Sequence, residues 1–408
     1  MRATLQATAA TCLALWAAWA QGQTQPQWLT DAQARETPLP PATEVASEDG
    51  WLQARVPGTV RHKVVLDSGG YSLQIALSAD RTISCEVLRG SRDLAALLAE
   101  TAEISLGQLA KTNGEIEARV IEAIDAGALG AHPYMALRWV YRARRGGEAR
   151  IGGLKQFAAD LGEAVVYCAD DELGYVKTFD AVARAVAESL RIEGKAVDTG
   201  HFGEISVITL EGQRVGVAST VLSRDTEGDT QVRNKGAMLL QRTQGQLISQ
   251  DTVEVQWVRP DGSLINALQV KAEQGKLTED VALRRHDDGR WRATGTLAGK
   301  DVDFVLDAAP SSYLAMAQAR RQLMDRPNPV GGSTEATSWS SLDLSRLLPA
   351  KATVLAAAGP GTFAVREELG GVVIDAVLDR KTGTMASATI PLGALNLRLQ
   401  RVHQHGSF

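Results

Sequence analysis

Two spacings of apolar residues alternate along this chain. Segments 62–66 and 71–77 alternate polar and apolar positions on either side of Asp67-Ser68-Gly69-Gly70, the pattern of a β-hairpin. Ile83, Cys85 and Val87 continue the period of two in a third strand. Leu94, Leu97, Leu98 and Thr101 then recur at helical spacing behind Ser91, a capping residue. Ile116, Val120, Ile121 and Ile124 show the same spacing and predict a second, short helix. After Pro133 the period returns to two, with Met135, Leu137, Trp139 and Tyr141 on one face. Strands at 151–158 and 164–168 follow the Gly146-Gly147 turn. A helix capped by Thr178 closes the region, with Phe179, Val182, Val186 and Leu190 as its apolar stripe and Gly194 as its stop.

The remainder reads as short antiparallel strands. Turn signals stand at Glu227-Gly228-Asp229, Pro260-Asp261-Gly262, Asp287-Asp288-Gly289, Gly370-Gly371 and Thr382-Gly383. Between them lie alternating runs such as Val253, Val255, Trp257 and Leu395, Leu397, Leu399. One helix is expected at 311–324. The expected fold class is therefore α+β: a helix-covered antiparallel sheet over 51–193, then a larger β-rich antiparallel domain, a meander or half-barrel, over 201–402. Residues 21–50, rich in Gln, Thr, Pro, Ala and Glu, read as a flexible leader, and 403–408 as a tail.

The first twenty residues change the picture. Arg2 precedes an uncharged stretch made apolar by Leu5, Leu13, Leu15, Trp16 and Trp19, which ends Ala18-Trp19-Ala20. This pattern is expected to be a secretory signal peptide, 1–20, with cleavage after Ala20. Cys12 lies inside the apolar stretch rather than at its exit, so the protein is not read as a lipoprotein. The expected location is periplasmic or secreted, with no transmembrane segment left after cleavage. Formal net charge is −5, about −6 once Arg2 is removed, which argues against a nucleic-acid partner.

Cleavage leaves two cysteines, Cys85 and Cys168, each on a strand, and an oxidising compartment permits a disulfide between them. No Cys-x-x-Cys, His-Glu-x-x-His, phosphate loop or Gly-x-Ser-x-Gly elbow is present, so no catalytic residue, metal site or cofactor is assigned. His403 and His405 have a spacing compatible with a metal but read as part of the tail. Asp170-Asp171-Glu172 reads as a solvated turn. Arg142, Arg144, Arg145 and Arg150 surround Gly146-Gly147 as a basic hairpin tip that could meet anionic headgroups or an acidic partner.

The order of elements in the first domain, with Tyr167-Cys168-Ala169-Asp170-Asp171-Glu172 followed by Thr178-Phe179-Asp180 and Glu188-Ser189-Leu190, resembles exported PsbP, Mog1 and DcrB-like domains. The second domain resembles the β-sheet domain that precedes bacterial transglutaminase-like domains. The residues concerned are Arg214-Val215-Gly216-Val217-Ala218, the passage from Leu240-Gln241-Arg242 to Pro260-Asp261-Gly262, and Asp379-Arg380-Lys381-Thr382-Gly383 leading into Leu399-Gln400-Arg401-Val402. It is also similar to the lipid-cradling sheets of lipoprotein carriers. These resemblances imply no catalytic residues.

Together these features predict a non-catalytic envelope protein that binds an apolar or amphiphilic ligand, or an envelope protein partner, on its second domain. Trp257, Trp291 and Phe304 are the candidate ligand-binding residues, on the expectation that they share one face. An envelope hydrolase of unrecognised type is the alternative.

Overall fold

The structure, a computed structural model, describes residues 27–196, 199–242 and 245–408; the expected signal peptide lies outside the described residues. The chain divides into two compact units, Met1–Asp198 with Leu239–Ser249, and Thr199–Met238 with Gln250–Phe408.

The α+β expectation is corrected. Strand accounts for 60% of the described residues and helix for 14%, so the fold is β-rich rather than a helix-covered sheet followed by a β domain. One source of the error is local. Glu115–Leu129, which holds the expected second helix, is a strand. Its register against the next strand shifts between Ile116 and Ala118 and again between Ile121 and Ala123. Each bulge advances the side-chain phase by one residue, so a strand acquires apolar spacings that imitate a helix.

The first unit begins with a short helix, α1 (Gln27–Gln33), and strands β1 (Ala42–Ala46), β2 (Leu52–Pro57), β3 (Thr59–Val65), β4 (Tyr71–Ala76) and β5 (Thr82–Arg89). Helix α2 (Leu94–Asn113) leads into β6 (Glu115–Leu129), β7 (His132–Arg145), β8 (Glu148–Asp160) and β9 (Ala164–Asp170). Helix α3 (Val176–Ser189), β10 (Arg191–Ile192) and β11 (Lys195–Ala196) complete it. Seven strands form one antiparallel sheet in the order β3-β4-β5-β9-β8-β7-β6. On one face Leu73, Ile75, Ile83, Val87, Val166 and Phe157 are buried with Phe179, Val182 and Val186 of α3 and with Leu52, Ala54 and Val56 of β2. The layer over that face is thus partly β, because β2 belongs to a second small sheet, β1-β2-β10-β11. Strand β1 of this sheet, and the whole of helix α1, come from the segment read as a leader.

That segment also supplies the cap of α3. The backbone N–H groups of Lys177 and Thr178 donate to Glu36 at 3.0 and 2.8 Å, and the Thr178 hydroxyl donates to the same carboxylate at 2.7 Å. The first turn of a helix has unsatisfied N–H groups, and here a distant carboxylate satisfies two of them. Cys85 and Cys168 stand directly opposite each other on β5 and β9 and form a disulfide, with both residues fully buried.

The second unit contains one large antiparallel sheet. Its first run is β12 (Phe202–Leu210), β13 (Gln213–Arg224), β14 (Thr230–Gln241), β15 (Leu247–Val258), β16 (Leu264–Glu273), β17 (Lys276–Arg285), β18 (Trp291–Leu297) and β19 (Lys300–Leu306). Helix α4 (Tyr313–Met324) follows, and then β20 (Ser333–Ser340), β21 (Asp343–Gly359), β22 (Thr362–Leu369), β23 (Val372–Asp379), β24 (Met385–Leu392) and β25 (Leu395–Gly406). The two meanders join where β12 pairs with β25, which places β19 and β20 at opposite edges of a fourteen-stranded sheet. Trp291 and Leu306, near one edge, are buried in the same cluster as Trp339 and Leu344, near the other. The sheet therefore curls around this cluster, and the face that carries it is the inside. No helix among the described residues is long and apolar enough to cross a membrane.

Candidate functional site

Alternation along the strands decides what faces the inside of the second unit. Trp291 pairs with Leu306, Ala293 with Phe304, Leu283 with Ala293, and Ala267 with Leu283, so these side chains share the inner face. Trp291 is buried, and Phe304 packs half-buried against the same cluster. Trp257 does not join them. It alternates between the inward Gln256 and Val258 and pairs with Asn266, which puts it on the opposite face. The expected convergence of three aromatic residues thus reduces to two.

A cavity of about 690 Å³ opens where three connections meet: the β15–β16 turn, the β17–β18 turn and the chain between β19 and α4. Leu264, Trp291, Leu306 and Pro310 are buried apolar residues of its lining. Phe304 and Trp257 do not line it. Ser312 holds two of the connections together: its hydroxyl donates to the Gly262 carbonyl at 2.7 Å and accepts from the Ala315 N–H at 3.1 Å as the N-cap of α4. Exposed Arg259, Arg285 and Arg290 supply the cavity's positive charge, and Asp307 the negative. The lining has serines but no histidine or cysteine.

Deeper on the inner face lies a polar row. Cross-strand pairing aligns Glu204 with Thr220, Thr220 with Asn234, and Glu254 with Gln269. Thr220 donates to Asn234 at 2.9 Å, and Gln256 donates to Glu254 at 2.6 Å. Gln256 in turn accepts from the backbone of Tyr313 at 2.8 Å, which links this row to the start of α4. The Tyr313 hydroxyl donates to Glu204 at 3.2 Å, as does Thr384 at 2.9 Å. Arg401 lies 3.5 Å from Glu204 and 2.9 Å from Asp379. Burial pushes the carboxyls of Glu204 and Glu254 above the ordinary range, and it pushes the Tyr313 phenol well up. Sequence reading missed this row, because an acidic residue in an alternating strand reads as outward-facing until the register is known.

Other sequence candidates separate. His403 and His405 lie in β25, not in a frayed tail, with ring centroids 5.5 Å apart. His405 Nε2 is 3.1 Å from the Thr199 carbonyl, and its ring covers Gly203, where a Cβ would come within 2.3 Å. Among the described residues no group of three or more His, Cys, Asp or Glu side chains is placed to hold a metal. Asp170 is not solvated: it is buried with Arg81 and Lys155, whereas Asp171 and Glu172 are exposed. At the basic hairpin, Arg142 and Arg144 pair with Glu117, Arg145 donates to the Thr112 carbonyl, and Arg150 lies 3.9 Å from Glu148.

What fold and site define together is a β-rich protein with an open, mixed apolar and cationic cavity. No family model matches the chain, and no curated protein does. Among solved structures it is similar to a β-barrel-like protein of a domain of unknown function, DUF1849, from Brucella abortus, at 12% identity and a TM-score of 0.39, over 50% of this chain and 96% of that one. It is also similar to a DUF1089-family protein from Pseudomonas aeruginosa, at 15% identity and a TM-score of 0.25, over 41% of this chain and 86% of that one.

Proposed function

We propose that the chain is an exported, non-catalytic binding protein whose second unit holds an amphiphilic small molecule. The observation that carries this reading is the cavity beside Trp291, with an apolar wall and a polar, charged rim. Ligand sites are commonly concave, mainly apolar and furnished with a few polar groups that orient the guest. Two features support export: the charged start, apolar middle and small-residue exit of residues 1–20, and the Cys85–Cys168 disulfide, a bond that persists in oxidising compartments.

The test is mass spectrometry of an organic extract of protein purified natively after export. The expected result is one apolar or amphiphilic species near stoichiometric amount, lost in Trp291→Ala and retained in Trp257→Ala. An empty extract from the parent protein, or equal loading of both variants, overturns the reading and moves attention to a protein partner.

A further inference from the structure

Arginines elsewhere in this protein are commonly spoken for. Arg81 pairs with Asp170, Arg320 with Glu367, and Arg401 with Glu204 and Asp379. The three at the cavity differ. Among the described residues, no carboxylate lies within ion-pair distance of Arg259, Arg285 or Arg290. The Arg259 guanidinium donates to the Ser263 hydroxyl, at 3.4 Å, and Arg285 uses its Nε on the Gly289 carbonyl, at 3.3 Å.

Their backbones are held by tight turns. Asp261 accepts from the Ser263 N–H at 2.9 Å, and Asp288 accepts from the Arg290 N–H at 3.0 Å. The Ser263 hydroxyl and then its N–H hold Asp261 below the usual carboxylate range, with Arg259 adding to the effect, and the Arg290 N–H, then Arg292 and last the Arg290 charge do the same for Asp288. Their charge offsets part of the arginines' field but leaves the guanidinium groups unbonded to carboxylate. Ser312 and Ala315, at the start of α4, also line the cavity, so the positive end of the helix dipole adds to the same field.

We infer that this cavity selects an amphiphile with an anionic oxygen head, a carboxylate or a phosphate ester, and seats its apolar portion against Trp291, Leu264 and Leu306. The inference rests on the binding function proposed above and specifies its ligand class. A guanidinium presents paired donors that match carboxylate and phosphate oxygens, and an exposed cluster of them acts through a field that salt screens.

Isothermal titration of the mature protein with dodecanoate, dodecyl phosphate, dodecanol and dodecyltrimethylammonium tests this. The two anions are expected to bind about tenfold or more tighter than dodecanol, with the gap narrowing as salt rises from about 0.05 M to about 0.5 M. Their relative strength tells which anionic head is favoured. In Arg259→Gln/Arg285→Gln/Arg290→Gln, three exposed positions, the anions should fall to the dodecanol level while dodecanol is unchanged. Equal binding of dodecanol and the anions, or tightest binding of the ammonium probe, overturns the inference and leaves the binding function standing. An anion preference that survives the triple substitution also overturns it. If no probe binds, both fail together.

Discussion

Gln256 donates its side-chain amide to Oε1 of Glu254 across 2.6 Å, and among the described residues no cation pairs with that carboxylate. Asn234, at 3.5 Å, is its other hydrogen-bond partner. A carboxyl group held by neutral amides on the inside of a sheet loses hydration without gaining an opposite charge, so its charged form is disfavoured.

The pH dependence follows from this. Burial raises the folded-state pKa of Glu254 above 4.5, so the native state keeps its proton longer than the unfolded chain. The resulting stability is fully present below the unfolded value and is lost as pH rises through the folded one. Glu204 and Glu367 shift the same way. Glu254→Gln should therefore raise stability at pH 7 by on the order of 1 kcal/mol and flatten the pH profile of urea unfolding above the ordinary carboxyl range. A variant with an unchanged profile would contradict this account.

Asp170 in the first unit presents the opposite case. It faces two buried cations, Arg81 and Lys155, with Lys155 Nζ at 2.8 Å. Burial lowers the Lys155 pKa in spite of the Asp170 carboxylate. Asp170→Asn strands both cations and should cost about 3–5 kcal/mol in chemical denaturation. Lys155→Met leaves the Arg81–Asp170 pair intact and should change stability by only about 1 kcal/mol. Equal losses in the two variants would show that packing, not charge, dominates there.

Glu36 makes the contribution of the expected leader measurable. Hydrogen bonds from Thr178 and Lys177 outweigh burial, which acts in the opposite direction, and hold its carboxyl below the ordinary range. Its stabilisation is therefore present above the unfolded pKa and lost as pH falls through the folded one. Glu36→Ala should cost about 1 kcal/mol and speed hydrogen exchange at the amides of Lys177 and Thr178. Unaltered exchange at those two amides would mean that the cap is not formed in solution.

The Cys85–Cys168 bond closes a sequence separation of 83 residues. Replacing both cysteines with alanine should lower unfolding stability by about 4–5 kcal/mol in the chain-entropy model. Because both residues are fully buried, thiol labelling of the native protein under reductant should require unfolding first. Rapid labelling in native buffer would argue otherwise.

Local patterning by itself determined much of the chain's course. Each glycine-bearing turn expected in the second half, from Glu227-Gly228-Asp229 to Thr382-Gly383, lies between consecutive strands, because φ > 0 and hairpin geometry depend on only a few neighbouring residues. The helix expected at 311–324 forms as Tyr313–Met324 with Ser312 as its cap, for the same reason. Two strands that each read as half-buried likewise carry Cys85 and Cys168.

Tertiary structure alone decided the rest. Bulges in β6 changed the side-chain phase and turned an apparent helix into strand. The pairing of β12 with β25, nearly two hundred residues apart, set which face is inside, and with it the positions of Glu204, Glu254 and Trp291. That choice also separated Trp257 from Trp291, since a side chain's face follows from register, and register is settled by partners far away in the chain. The unpaired arginines at the cavity belong to the same class. Each is ordinary in its own turn, and only the curling of the sheet gathers them around one space.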